Sequence, residues 1–587
     1  MKKQTNYYGI VSGKLESLSY AIYAFLTRKV IYICEDKPLR IPLPPFFSSR
    51  IKFFKNVIGR YKGKYYELNK QAIYEPILAE GLELEKNPLV RFQNKIFNTD
   101  KVANFYKRGL SVFQYEFLRD LFLIRKREKS FCLILPRTKN YMLLADKYLK
   151  DGEYRFSSLL TILYIGTGLL AVMAGIVSGL LIRPVRRKRL EGLLLRELSW
   201  GFNPRRKGFC DNFLVDGKMI KESDYVYFKS KSITYDRIVA YEQAKNRNCK
   251  IVILDRSFNM NRSFLKHIKN NIVFAFFNMF QVLFYSPYLL SYYAIFLSCS
   301  TDAYRLFSFC KVSYYMSGED YGDIVETIIS NDLGVKVFLY HWSDLTAWIT
   351  SSHQHIVHND LFLWGPIVKD FQYMKSKCEN QYCIGCNLSN NYNDTSKNEL
   401  RKEMGLDIDK PVIAFYDTDY NEEYEDFIQT IVDFAKKKPD VQVVLKSKCI
   451  LDEKNRSLLK KLNIKIFDWG DVFIADVLRS ADVNVSMEMN STTTISLLCG
   501  VPGLYYDTSE NHLHPLTKYE GKLVFRDRKS LLEMIDSLLA GTEKIPEIHE
   551  LKKYNVFGAD PLDILRKYLR YGTVDENYRL QYKNRLK

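Results

Sequence analysis

The chain has 587 residues, enough for three or four units that each bury a core, with hydrophobic residues at 47% and aromatics at 14%. A disordered, fibrous or low-complexity chain is excluded, since Gly and Pro number 28 and 17 while Tyr and Phe number 42 and 37. The formal charge is +20, from 87 Lys and Arg against 67 Asp and Glu, and residues 1–158 hold +15 of it, 30 basic against 15 acidic. Such a field attracts anions, and charge alone does not choose among nucleic acid, acidic phospholipid and a phosphorylated substrate.

Residues 1–158 are expected to form a basic α/β region of mixed pattern. Its first residues are polar (Lys2, Lys3, Gln4, Thr5, Asn6), and Arg28 and Lys29 interrupt the first apolar stretch. No secretory leader is expected, and the protein is expected at the cytoplasmic face of the cell membrane. Eleven cysteines in such a chain read as reduced thiols.

Residues 159–182 are 24 in a row without a charge, followed at once by Arg183, Arg186, Arg187, Lys188 and Arg189. This is a membrane-associating segment. Both of its flanks are basic and belong on the same side, so monotopic attachment is expected rather than a simple span, with membrane phospholipid as a partner. A second uncharged stretch, 272–298, holds Pro287 and ten Phe or Tyr, and suits an interfacial or re-entrant segment.

Residues 183–390 read as an irregular α/β domain, with strands expected at 225–228, 251–254, 335–340 and 361–364 and a helix at 235–245. Asn, Ser and Thr crowd 387–402, which reads as a linker. From 403 to 570 short apolar runs alternate with amphipathic ones. Strands are expected at 411–416, 441–445, 464–467, 483–486 and 503–506, and the alternation predicts a doubly wound parallel sheet.

In such sheets ligands bind beyond the carboxyl ends of the strands. Asn490, Ser491 and Thr492, continued by Thr493 and Thr494, sit where a strand hands over to a helix, and hydroxyls with unpaired N–H groups there suit a phosphate. Lys446 and Lys448 follow a neighbouring strand, and Asp507 follows another. In the middle domain a strand ends in His341, whose ordinary pKa suits a general base, and Asp344 is near enough to orient it. Cys378, Cys383 and Cys386 lie downstream of His353, His355 and His358, but one C-x2-C without a matching pair does not make a zinc site, and no metal is expected. No P-loop or G-x-G-x-x-G occurs, so no ATP or dinucleotide cofactor is expected.

A strand ending in His341, a D-x-x-x-W-G turn at Asp360 to Gly365, Lys446, the N-S-T helix start at Asn490 and G-V-P-G-L-Y-Y-D at Gly500 to Asp507 together resemble GT-B glycosyltransferases. They are also similar to the related glycerophosphotransferases of bacterial surface polysaccharide synthesis, and Phe557 to Pro561 with Arg566 and Tyr568 looks like the closing helix of such proteins. The resemblance implies two Rossmann-like domains, an acceptor-side one at 183–390 and a nucleotide-donor-binding one at 403–570, and an inverting, metal-independent transfer. It also implies a nucleotide sugar as donor substrate and a glycan or lipid-linked acceptor; separately, no nucleic acid is expected, since no recognised binding module occurs and the basic residues sit with membrane-like segments. His341 is followed by Trp342 where the glycerophosphotransferases have Gly, and Met489-Asn490-Ser491-Thr492 replaces their D-Y-S-S, which argues against glycerol phosphate as the group transferred. A glycerophosphotransferase, a sugar-nucleotide epimerase-like enzyme or a noncatalytic scaffold of a polysaccharide assembly complex are the alternatives.

Overall fold

The computed structural model describes residues 6–9, 14–34, 51–54, 84, 88–180, 189–199, 201–202, 210–229, 235–253, 264–274, 288–317, 324–341, 356–367, 378–390, 395–418, 424–448, 451–468, 471–508 and 514–580. Within them three parallel sheets follow one another. The first consists of β1 (Asn6–Tyr8), β2 (Ile31–Cys34), β3 (Ile51–Phe54), β4 (Phe131–Pro136) and β5 (Tyr154–Ser157), in the order β3-β2-β1-β4-β5. The chain winds outward from β1 to β3 and resumes on the other side at β4, which makes the basic N-terminal region a doubly wound unit too. Its strands are three to six residues long and carry Lys52 and Arg155, which hides their period. Helices α1 (Lys14–Thr27), α2 (Val102–Arg127) and α3 (Lys139–Tyr148) belong to this unit.

β5 runs straight into α4 (Ser158–Leu180), which among the described residues is the one helix long and apolar enough to cross a membrane. One face of α4 packs on α1, where Ser19 Oγ and Thr167 Oγ1 lie 2.8 Å apart. It also packs on α5 (Tyr288–Phe309). Glycines set that approach: a Cβ on Gly168 would stand 3.1 Å from Leu290 Cβ, and one on Gly175 3.4 Å from Leu297 Cβ.

The interfacial segment expected at 272–298 is corrected in its described part. From Tyr288 onward it is α5, which carries Leu289, Leu290, Tyr293, Phe296 and Leu297 into the core. Its aromatic rings are core packing, with Phe105 of α2 edge-on to Tyr292 and Phe296 and the Tyr292 hydroxyl donating to Gly109 O at 2.9 Å. Residues 275–287 lie outside the described residues.

A two-stranded piece pairs β6 (Leu190–Glu191) with β10 (Cys310–Lys311). The second large sheet comprises β7 (Leu194–Glu197), β8 (Tyr225–Lys229), β9 (Ile251–Ile253), β11 (Tyr314–Met316), β12 (Lys336–Tyr340), β13 (Asp360–Leu363) and β14 (Asn380–Cys383), ordered β14-β13-β12-β11-β7-β8-β9. The expected strands are present. The two central ones, β7 and β11, escape the sequence pattern because they are four and three residues long and include Arg196 and Glu197.

The third sheet comprises β15 (Val412–Tyr416), β16 (Gln442–Lys446), β17 (Lys465–Phe467), β18 (Val483–Met487), β19 (Gly503–Tyr506) and β20 (Val524–Phe525), ordered β17-β16-β15-β18-β19-β20. Five of its strands lie within a residue of expectation. Strands covered on both faces read as continuous apolar runs, and β15 and β18 are buried throughout. The fold class expected from the sequence, α/β with two Rossmann-like units after a basic N-terminal region, is observed.

The last helix, α7 (Pro561–Tyr571), returns to the second sheet. Asp560 caps it by accepting from the N–H groups of Leu562 and Asp563. Its Tyr568 ring packs among Tyr314, Phe338 and Phe362, and its hydroxyl donates to Asp360 Oδ2 at 2.6 Å. Tyr568→Phe should remove a buried hydrogen bond to a carboxylate and destabilise the fold by about 1.5–3 kcal/mol, measured by urea unfolding.

Two buried histidines tie stability to pH. Burial pushes His267 and His358 down to about 3, with Lys101 and Arg108 adding to the effect on His358, and His358 Nδ1 lies 3.1 Å from Thr327 Oγ1. Between about pH 6.5 and 3 the unfolded chain binds protons that the folded one does not, so stability should fall as pH drops through that window. The slope is up to about 1.4 kcal/mol per pH unit for each histidine. Urea midpoints taken from neutral pH down to about pH 4 should show this, and the slope should flatten in His267→Gln and His358→Gln; an unchanged slope in both removes the imidazoles as its source.

Candidate functional site

In the third sheet the chain runs outward from β15 to β17 and, on the other side, from β18 to β20. The strand order therefore reverses between β15 and β18, and the crevice for a ligand opens beyond their carboxyl ends. The register keeps those ends level, since Tyr416 pairs with both Lys446 and Ser486, and Met487 pairs with Tyr506. Asp417, Ser447 and the loop leaving β18 consequently lie along one edge.

Asp417 organises one side of that edge, and sequence reasoning missed it. It is buried at the end of β15, its Oδ2 accepting from Ser447 Oγ at 2.5 Å and its Oδ1 from Lys448 N at 2.5 Å. Tyr424 OH donates to the same carboxylate at 3.3 Å. The available signal was its position directly after the first strand of a doubly wound unit. Asp417 thus holds the β16 loop against the end of β15. Lys446 is buried, with Nζ donating to the backbone oxygen of Asp468, whereas Lys448 is exposed.

On the other side, Glu488 leaves β18 with φ +58°, a left-handed conformation uncommon for a residue with a side chain. Its N–H still donates to Tyr506 O at 2.7 Å. The turn leads to α6 (Ser491–Leu498), whose N-cap is Asn490: Oδ1 accepts from Thr492 N at 2.9 Å and Nδ2 donates to Met487 O at 2.9 Å. The hydroxyls do not all converge. Thr493 Oγ1 donates to Leu504 O and Thr494 Oγ1 meets Tyr505 OH, so both turn into the unit. Ser491 and Thr492 are left half-buried at the helix mouth, their hydroxyls unpartnered among the described residues.

Asp507 lies one strand further out than Asn490. It is buried and its Oδ2 accepts from Arg526 Nη1 at 2.9 Å, which places a guanidinium against this carboxylate.

His341 directly follows β12 in the second sheet. It is fully buried, with its backbone N–H donating to Phe362 O at 2.8 Å. Trp342, Ser343 and Asp344 lie outside the described residues. Leu339, two residues earlier and therefore on the same face of the strand, belongs to a core cluster with Tyr505, Leu523 and Val524 of the third sheet. Met489, the residue before Asn490, packs against that same cluster. Leu339, two residues before His341, and Met489, one before Asn490, thus belong to one cluster that joins the two units.

The W-G turn is scaffold. Trp364 O accepts from the N–H groups of Gly385 and Val556 at 3.0 Å each, and a Cβ on Gly365 would stand 2.4 Å from Lys553 O. Cys383 and Cys386 are buried in different core clusters, and among the described residues no three metal-ligating side chains come together. His353 and His355 lie outside the described residues.

Residues 352–535 match the family described as polysaccharide biosynthesis PFTS motif protein. The expected resemblance to surface-polysaccharide biosynthesis proteins holds over that segment, which contains Lys446, Asn490 and Asp507 but stops short of His341. No curated protein matches the chain. Among solved structures it is similar to the wall teichoic acid polymerase TagF, at 11% identity and TM-score 0.40, over 70% of this chain and 97% of that one. It is likewise similar to MurG of Acinetobacter baumannii, at 11% identity and TM-score 0.33, over 65% and 99% of the two chains. A third is the S. aureus MnaA-UDP co-structure, at 9% identity and TM-score 0.37, over 65% and 96%.

Asp417→Asn should keep the fold and loosen the β16 loop, because a neutral amide is a weaker acceptor than a carboxylate for two donors. Hydrogen exchange at the Lys448 amide should speed up by about tenfold, the equivalent of 1.4 kcal/mol, and an unchanged rate would mean the carboxylate does not hold the loop.

Proposed function

We propose that this protein is a membrane-associated glycosyltransferase that moves a sugar from a nucleotide-activated donor to a surface polysaccharide or lipid-linked acceptor. The observation that carries the reading is the level edge at the switch point of the third sheet, where Asp417, Ser447 and Lys448 lie on one side and Asn490, Ser491 and Thr492 on the other. This edge falls inside the segment that matches a polysaccharide biosynthesis family. A nucleoside diphosphate suits it, since a helix start offers N–H donors and the positive dipole end, with two hydroxyls and Lys448 beside them.

The chemistry is an inverting displacement. The acceptor hydroxyl attacks the anomeric carbon, a new C–O bond forms, and the bond from that carbon to the diphosphate breaks. His341 takes the hydroxyl proton as general base. Charge developing on the leaving diphosphate is met by Ser491, Thr492 and the first N–H groups of α6, with Lys448 supplying positive charge at the rim, while Lys446 is buried against the backbone oxygen of Asp468. Because His341 is buried, the acceptor must enter between the two units to reach it, which excludes bulk water from the proton transfer.

A thermal-shift panel of UDP, CDP and GDP compounds should raise the melting temperature with one nucleotide class, and silence across the panel would count against a donor site. With that donor in hand, His341→Ala should reduce turnover by about 10² to 10⁴ and leave donor affinity nearly unchanged. Ser491→Ala should weaken donor binding instead. Full turnover in the histidine variant removes the proposed base.

A further inference from the structure

α4 presents an uncovered apolar stripe to solvent. Leu159, Ile162, Leu170, Met173, Val177 and Leu180 are all exposed, Leu170 by 71% and Ile162 by 66%, and their spacing of three, four or eight residues puts them on one side of a helix. The opposite side is buried, with Leu160, Tyr164, Thr167, Val172 and Ile176 packed against the protein. At 23 residues α4 is about 34 Å long, so length alone permits a span.

Its neighbours do not. Thr167, near the middle of α4, bonds Ser19 of α1, and α1 begins at Lys14 and includes Glu16. α1 is in turn bound to the first sheet, Tyr20 OH donating to Ile134 O of β4 at 2.7 Å. A spanning α4 would drag the charged start of α1 and an open sheet into hydrocarbon, where unpaired backbone groups and charges are heavily penalised.

Cations flank the stripe, at its start in the fold and after its end in the sequence. Near the start of α4, Arg137, Lys139 and Arg155 are exposed, and Arg137 is held there by its N–H donating to Thr161 Oγ1 at 2.7 Å. The last turns of α1 share a core cluster with Leu160 of α4, through Tyr23 and Ala24, and beyond them Phe25, Leu26 and Val30 are exposed around the exposed Arg28. Beyond the other end of α4 the sequence continues with Arg183, Arg186, Arg187, Lys188 and Arg189. Two cationic ends belong at one anionic surface, whereas a span would separate them.

We propose that α4 lies in the plane of an anionic lipid surface, its stripe sunk to the headgroup–acyl boundary, with the end of α1 as a second apolar anchor and the flanking cations on the lipid headgroups. This rests on the membrane-associated reading above and names its contact face, its orientation and its lipid class.

The test uses the full chain and vesicles of phosphatidylcholine alone or mixed with phosphatidylglycerol. Binding is expected only with the anionic lipid, and Leu170→Glu combined with Met173→Glu should weaken it by about tenfold or more. Arg28→Glu and Lys139→Glu, both at exposed positions, should each weaken it roughly fivefold or more, and less so in high salt. A fluorescent amino acid in place of Leu159, Leu170 or Leu180, quenched by spin-labelled lipids, reads depth. Three equal, shallow depths are expected. A deep Leu170 flanked by shallow ends means a span and overturns the proposal, as does equal binding to both vesicle types or to neither. The nucleotide thermal shift, measured on the same variants, should not move, so failure here is distinguishable from failure of the transferase reading.

Discussion

The hydroxyl of Tyr568 and the carboxylate of Asp360, 2.6 Å apart and buried, tie the end of the chain to the sheet that carries His341. Around that bond the rings of Tyr314, Phe338 and Phe362 enclose Tyr568, while Arg566 donates to Leu214 O and Arg570 to Met219 O. A helix that follows the third sheet is thereby seated on the second. Two parallel sheets, each apolar on both faces, need such covering, and here each unit supplies part of the other's. The cluster of Leu339, Leu361, Leu363, Tyr505 and Val524 is the second half of the same arrangement. It joins β12 and β13 of the second sheet to β19 and β20 of the third.

What that arrangement offers chemically is a division of labour. On one side, short loops at a switch point hold hydroxyls and helix-start N–H groups on rigid strands, with Asp417 fixing the β16 loop and Asn490 capping α6. On the other, a histidine is shielded from bulk water. The left-handed Glu488 stands between the strand and the helix, and strain at such a turn is tolerated where the surrounding sheet over-determines it. The N-terminal unit, doubly wound in its own right, adds a basic body whose last strand feeds the apolar helix α4 directly.

Much of the third sheet was legible in the sequence, because fully buried parallel strands appear as unbroken apolar runs and their helices as amphipathic ones. Whereas Lys446 is the buried last residue of β16, the same logic located Asn490, Ser491, Thr492 and Lys448 at strand exits. It did not find Asp417, since a single carboxylate after a strand has no distinguishing pattern until its donors are known. Nor could the run of hydroxyls be divided: only the packing shows Thr493 and Thr494 turned inward to Leu504 and Tyr505 and leaves Ser491 and Thr492 at the mouth. The strands β7 and β11 were invisible because three or four residues cannot establish a period of two.

The two uncharged stretches show where sequence and tertiary structure divide. Composition determined that both avoid water, and charge at the flanks of the first determined that its ends prefer one side of a membrane. Which faces are covered was decided only by the fold. α5 meets α2 and α4 and is largely buried, with Ile295 left exposed, whereas α4 is covered by α1 and α5 on one side and keeps its stripe on the other. Hydrophobicity is a property each residue carries with it, but burial depends on neighbours distant in sequence, and those neighbours are supplied by the winding of the sheets.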